Sequence, residues 1–392
     1  MFLQRPKPFD DESLESFFIR VASKNGYDDI HRFLIAIKRF LNDQNNDIFA
    51  TFPIDLKRIN PYSSRNNSGT RIAALHKIAL MTFNEQAEIL SLAINKSSLN
   101  YSPSTTALVR ANEVIPRSLL RRDTIPCCPA CLLENGYASY LWHWKGYSYC
   151  HKHHTPLIFQ CSCGVDYDYR ESGLSACCRG CNTPVQIDLQ INNSADMISD
   201  WLAGNSIDPL PDLPKSYRWG LIHWWSHITK AEFNHTSFID FWQNWPVSFH
   251  ELIEREIEFK LEHAVVDRQE LKVKDILGDV LFSCIHLPER NLKYNIVLNA
   301  LLSFVEDNLW QDDGFLANLR MNSIEVAIFL NCSRDQVVAM VEQRLLKPNR
   351  RTRPNQPFEF TDYLFYLGDV YCLWLAEFQT DEFNRTFLIS RQ

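Results

Sequence analysis

Apolar positions recur at helical spacing from the beginning of the chain. Leu14, Phe17, Phe18, Val21 and Ala22 share one face, with Asp10 and Asp11 as candidate caps before them and Gly26 as the stop after them. A second amphipathic stretch covers residues 30–41. A third, 72–83, follows a Ser- and Asn-rich loop at 60–70. Three short helices suit a helix-turn-helix unit or any other small helical bundle, and periodicity does not choose between them. Residues 95–106 read as a polar linker, placing a boundary near residue 100. Beyond it Tyr140, Trp142 and Trp144 alternate with Leu141 and His143, which predicts a short strand. Three prolines within 208–214 mark the next boundary. Leu221, Trp224, Trp225 and Ile228 then keep helical spacing, as do Phe238, Phe241, Trp242 and Trp245; both sets predict core faces of aromatic-rich helices.

Composition narrows the class. A chain of 392 residues, 45% hydrophobic and 22% charged, is long enough for several globular modules and too apolar for wholesale disorder. It has no apolar run of the ~18–20 residues that span a bilayer, and residues 1–10 are polar, unlike a signal peptide, so a cytoplasmic location is expected. The net charge of −7 argues against coating nucleic acid by bulk electrostatics. Basic charge is nevertheless local: residues 57–122 hold ten Lys or Arg against three acidic residues, and 344–353 hold five against none.

In a reducing compartment clustered cysteines more often hold metal than form disulfides. Nine of the twelve cysteines fall between Cys127 and Cys181; Cys284, Cys332 and Cys372 stand alone in apolar surroundings and are expected in the core. Cys128-Pro-Ala-Cys131 is followed, after eighteen intervening residues, by Cys150-His-Lys-His153, a pattern of three cysteines and one histidine in which two-residue gaps let tight knuckles present paired ligands to a tetrahedral ion. Cys161-Ser-Cys163 and Cys178-Arg-Gly-Cys181 make a second, four-thiolate set. Cys127, Cys177, His151 and His154 adjoin these residues, and a slip of register would exchange them. Two closed four-ligand sets leave no position for a reacting water, so two structural zinc ions per chain, and no zinc enzyme, are expected. The cytidine-deaminase spacing is absent, the zincin-like string at His250 has Glu254 where the second His belongs, and no phosphate-cradling glycine loop or Gly-x-Ser-x-Gly turn occurs.

One further stretch carries chemistry. Ser323 is a candidate cap for a helix with Val326, Ala327 and Leu330 inward. Residues 331–333 make a turn, and Ser333 caps a second helix through Val337, Val338, Met340 and Val341. Arg334 and Gln336 are expected exposed early in that helix, Arg344, Lys347, Arg350, Arg351 and Arg353 follow it, and residues 358–360 suit a wing strand. Nucleic-acid contact and partner docking both fit this arrangement.

The opening 11–22, the paired cysteine motifs, and the stretch from Leu141-Trp142-His143 to Tyr149-Cys150-His151 together resemble the TniQ family of transposon targeting proteins. The similarity extends along the chain most closely to the TniQ of type I-F CRISPR-associated, Tn7-like transposons. The resemblance implies a mainly α, multidomain fold: an N-terminal helix-turn-helix domain (1–100), tandem small α+β zinc-binding domains (101–157, with three cysteines and one histidine; 158–207, with four cysteines), a helical domain (208–315) and a C-terminal helix-turn-helix-like domain (316–392). The family's zinc positions fall on Cys128, Cys131, Cys150, His153, Cys161, Cys163, Cys178 and Cys181, with Cys177 an alternative to Cys178. It also implies a head-to-tail homodimer. This dimer would sit on the RNA-guided Cascade complex, at the guide-RNA-processing subunit and the adjacent backbone subunit, and recruit the AAA+ ATPase TnsC, leaving sequence recognition to the guide. A TnsD-like protein that reads a fixed attachment site directly is the competing expectation.

Overall fold

The computed structural model describes residues 2–60, 69–100, 105–186, 192–285, 287, 294–311, 314–349 and 361–378. Helices dominate, with three small antiparallel sheets among the described residues. The chain forms two units, Met1–His223 with Phe233–Ile239, and Trp224–Glu232 with Asp240–Gln392.

In the first unit α1 (Leu14–Lys24), α2 (Ile30–Phe49), α3 (Gly69–Thr82) and α4 (Gln86–Leu92) enclose a core that includes Phe17, Phe18, Phe33, Leu34, Ile37, Leu75, Ile78 and Ile89. The cap of α1 is Ser13, not Asp10 or Asp11: its hydroxyl accepts from the Ser16 amide at 3.1 Å. Helix α2 runs eight residues beyond the predicted 41, through a break at Asn45. Helix α4 lacks a long apolar repeat and was not predicted; the Glu88 carboxylate closes its first turn by accepting from the Glu85 amide at 3.0 Å.

The described ends of the expected linker at 95–106 are strands. Asn95–Asn100 forms β1, which pairs antiparallel with β2 (Thr106–Arg110), itself paired with β3 (Glu113–Pro116). The boundary expected near residue 100 therefore falls inside a sheet. An edge strand is held by backbone bonds to its one neighbour and needs no alternation of apolar side chains, which is why the pattern concealed it. Helix α5 (Pro129–Asn135), the two-residue strands β4 (Tyr149–Cys150) and β5 (Thr155–Pro156), α6 (Tyr169–Ser172) and α7 (Asn193–Ala203) follow. Residues Tyr140–His143, predicted as a strand, form a 3₁₀ turn capped by Ser139. All four side chains are buried, so the aromatic alternation did not separate two faces.

Helix α8 (Lys215–Ile228) and α9 (His235–Gln243) carry the predicted aromatic faces and cross from one unit to the other. Before α8, the Arg218 guanidinium donates to the carbonyls of Leu213 (2.6 Å) and Asn205 (2.7 Å), tying down the proline-rich turn.

The second unit contains α10 (Val247–Glu262), α11 (Val273–Ile276), α12 (Gly278–Ser283), α13 (Ile296–Asn308), β6 (Arg320–Asn322), α14 (Ser323–Phe329), α15 (Arg334–Glu342), β7 (Tyr363–Tyr366) and α16 (Leu367–Leu373). Trp224 packs among Phe241, Trp242, Trp245 and Phe249 and donates from Nε1 to the Ser283 hydroxyl at 3.0 Å. Of the three isolated cysteines Cys284 and Cys332 are buried as expected, whereas Cys372 is exposed.

Candidate metal centres

Cys128 precedes α5, and Pro129 at the first helical position starts the turn that brings Cys131 round beside it. The opposite pair comes from the end of β4. Cys150 accepts backbone bonds from His153 (3.2 Å) and His154 (2.7 Å), closing a knuckle in which His154 takes the left-handed conformation. The donor atoms of Cys128, Cys131, Cys150 and His153 all lie within 4.8 Å of one another. Cys131 and Cys150 sulfurs are 3.4 Å apart, and His153 Nδ1 lies 3.5, 3.3 and 3.4 Å from the sulfurs of Cys128, Cys131 and Cys150.

A tetrahedral zinc with Zn–S of about 2.3 Å and Zn–N of about 2.05 Å requires S···S edges of about 3.8 Å and S···N edges of about 3.5 Å. A disulfide requires about 2.05 Å. The observed edges suit a metal, and these cysteines are free thiols. Hydrogen bonds from Cys131 and Cys150 hold the Cys128 thiol well below its ordinary value, while the Cys128 thiolate in turn pushes Cys131 far up. Sharing protons thus supports one thiolate readily and further ones poorly; a divalent cation removes that conflict.

The second set, Cys161, Cys163, Cys178 and Cys181, meets the same 4.8 Å condition. Gly164, in the left-handed conformation, closes the first knuckle by donating to the Cys161 carbonyl at 2.8 Å. In the second knuckle Gly180 donates its amide to Cys178 Sγ at 3.3 Å and Asn182 donates to the Cys178 carbonyl at 2.8 Å. Sulfur separations are 3.7 Å for Cys161 with Cys181 and 3.6 Å for Cys163 with Cys178. The Thr183 hydroxyl, 2.9 Å from Cys181 Sγ, together with the Thr183 amide lowers that thiol to about 6.

The residues that a slip of register would have recruited are engaged elsewhere. Cys127 is bridged through its backbone to Ile158, and burial drives its thiol upward. Cys177 is bridged through its backbone to Pro184. His151 Nδ1 lies 2.8 Å from the Tyr147 hydroxyl, and His154 Nδ1 lies 3.0 Å from the Asp196 carboxylate. Cys178 rather than Cys177 joins the second cluster.

Two features escaped sequence reasoning. Glu134 Oε2 lies 2.8 Å from His153 Nε2, on the side of the ring away from the sulfurs. Burial opposes protonation of that ring, but the Glu134 carboxylate and the Cys128 thiolate together raise the histidine. Such a carboxylate orients the imidazole and keeps Nδ1 free as ligand. Its one legible signal is position, three residues after Cys131 on α5. The second feature is a buried polar seam beneath α1. Ser13 Oγ and His143 Nε2 each lie 2.8 Å from the Tyr169 hydroxyl, so one hydroxyl joins α1, the 3₁₀ turn and α6. The Ser13 amide donates to the Ala138 carbonyl, the Ala138 amide to Ser16 Oγ, and the Tyr140 amide to the Asp11 carbonyl, each at 2.9 Å. Arg110 donates to the carbonyls of Asp10 (2.7 Å) and Glu12 (3.0 Å). Asp11 also accepts from Tyr137 at 2.6 Å and from Lys152, between two residues of the first knuckle, at 3.0 Å.

The basic stretch is less completely assembled. Asn322, not Ser323, caps α14, accepting from the Ile324 and Glu325 amides while Glu325 accepts from the Asn322 amide at 2.8 Å. The turn predicted at 331–333 is present, with Asn331 left-handed, and Ser333 caps α15. Arg334, Arg344 and Lys347 are exposed. Gln336 is half-buried instead, because its Oε1 accepts from the Ser333 amide at 2.7 Å. Arg350, Arg351, Arg353 and the wing expected at 358–360 lie outside the described residues.

None of the described helices is long and apolar enough to cross a membrane. No curated protein matches the chain. The family model of TniQ does match, over residues 3–157, which takes in α1 to α4, the first sheet, the Ser13 and His143 sides of the seam but not Tyr169, and the whole first cluster. The N-terminal portion of this chain, residues 3–157, is thus similar to the TniQ family, the match covering less than half of the chain's length.

Proposed function

We propose that this chain is a non-catalytic targeting adaptor of a Tn7-like transposon, which docks on an RNA-guided Cascade complex and recruits the AAA+ regulator TnsC. The observation that carries this reading is the TniQ match over residues 3–157, coincident with a stretch in which Ala138 bonds to Ser16 of α1 and Lys152, within the Cys150–His153 knuckle, bonds to Asp11. An adaptor needs rigid surfaces, and closed four-donor zinc clusters supply rigidity without a reactive position. The eight clustered residues would hold two zinc ions as fold-stabilising clamps. The acidic balance of the whole chain fits a protein that leaves DNA recognition to a guide. We extend the reading to a head-to-tail homodimer seated at the guide-RNA-processing end of Cascade and its adjacent backbone subunit.

A second reading rests on the exposed Arg334, Arg344 and Lys347 around α15: a TnsD-like protein reading an attachment site itself. Co-purification with Cascade, with and without guide RNA, beside gel shifts on attachment-site DNA, separates the two. The adaptor reading expects association with guide-loaded Cascade and weak DNA binding by the isolated chain. Tight guide-independent DNA binding without Cascade association would overturn it in favour of the second.

A further inference from the structure

The two metal clusters differ in how far their sulfurs are sealed from water. In the first, Cys128, Cys131 and Cys150 are all buried, and the one partly accessible donor, His153, is braced by Glu134. In the second, Cys161 and Cys178 are buried but Cys163 and Cys181 are exposed. The second cluster also lacks an imidazole: every donor is a thiol, and each buried sulfur has an exposed one as its neighbour, Cys181 at 3.7 Å from Cys161 and Cys163 at 3.6 Å from Cys178. A disulfide in either pair needs a contraction of about 1.6 Å.

We propose that the second cluster is an exchangeable, peroxide-sensitive metal site, whereas the first is a permanent clamp. This goes beyond the adaptor reading and rests only on both clusters holding zinc. Exposed thiolates are the ones a hydroperoxide or a chelator reaches first. The chemistry closes without further reactants. One thiolate of a pair attacks hydrogen peroxide, giving a sulfenic acid and hydroxide; its partner thiolate displaces the sulfenic oxygen as a second hydroxide and forms the disulfide. Two pairs consume two peroxides and release four electrons to them, and Zn2+ leaves with its charge unchanged.

Loss of this ion would be felt beyond the cluster. Arg179, next to Cys178, pairs with Glu171 at the end of α6, and Glu171 also pairs with Lys57. Two residues before Glu171, Tyr169 supplies the hydroxyl that joins α1 to the 3₁₀ turn. The second cluster is therefore placed to report metal status or oxidation to the N-terminal helices.

The test uses the zinc-loaded full chain, limiting hydrogen peroxide, a metallochromic dye to follow release, and alkylation with mass mapping to locate the oxidised thiols. One equivalent of zinc should leave roughly tenfold faster than the other, as expected for accessible against sealed thiolates. The disulfides should map to Cys161, Cys163, Cys178 and Cys181, with restoration by reductant and zinc. Two equivalents released at one rate, or first release from Cys128, Cys131 and Cys150, would overturn the inference while leaving the metal reading intact. A preparation holding less than one equivalent of zinc would overturn both.

Discussion

Replacing Tyr169 by Phe removes one oxygen atom and tests whether the seam beneath α1 holds the N-terminal helices to the cluster region. The ring stays: Tyr169 is fully buried, and its edge-on contacts with Trp142 and His143 are preserved. Lost are two hydrogen bonds of 2.8 Å, to Ser13 Oγ and His143 Nε2. Each buried bond contributes about 1 kcal/mol net, and a buried polar group left poorly satisfied costs about 1–3 kcal/mol. Ser13 keeps its bond from the Ser16 amide, so the penalty falls mainly on His143, which is wholly buried and held neutral by that burial, its pKa pushed down to about 4. A loss of about 2–3 kcal/mol follows, equivalent to about 5–10 °C in the unfolding of a unit of this size. Circular dichroism melting of wild type and Tyr169→Phe, with zinc content measured on both, checks it. A Ser13→Ala, Tyr169→Phe double-mutant cycle should give a coupling of about 1 kcal/mol. A shift below about 0.5 kcal/mol with zinc retained would show that the seam is not a structural clasp.

Three other perturbations probe separate steps of the argument. Glu134→Gln should weaken zinc binding at the first cluster by about 10–100-fold in chelator competition, through loss of the carboxylate on His153 Nε2; an unchanged affinity would remove Glu134 from the site. Cys128→Ser should unfold the region around the first cluster and abolish partner recruitment together, because metal binding supplies folding free energy; a variant that stayed folded by limited proteolysis and lost recruitment alone would point to a functional metal. Burial raises the Glu12 carboxyl to about 7, against the pull of Arg20 at 3.0 Å. Its contribution to stability is fully present below its unfolded value of about 4.5 and is lost as pH rises through 7, so Glu12→Gln should flatten the stability decline between pH 6.5 and 7.5, above the range where neutral His143 acts with opposite sign. Denaturant titrations across that range decide the matter, and an undiminished slope would exclude Glu12 as its source.

Much of the local structure was legible because it depends on nearest neighbours in sequence. The faces of α1, α8 and α9 follow from apolar spacing, and the two knuckle pairs of each cluster follow from gaps of one or two residues, since zinc geometry constrains ligands that close in sequence. The cap of α15 at Ser333 was equally local. Other features depended on partners far along the chain. Strand β1 is polar and exists because β2 offers it a backbone edge. Tyr140–His143 became a 3₁₀ turn because all four side chains are buried together. Which of Cys177 and Cys178 turns toward the cluster was set by the backbone pairing of Cys177 with Pro184. The bracing of His153 by Glu134 and the joining of Ser13, His143 and Tyr169 through one hydroxyl bring together groups 19 to 156 residues apart. A single sequence carries short-range periodicity and ligand spacing; burial, which decides what a polar group must pair with, is a property only the folded chain possesses.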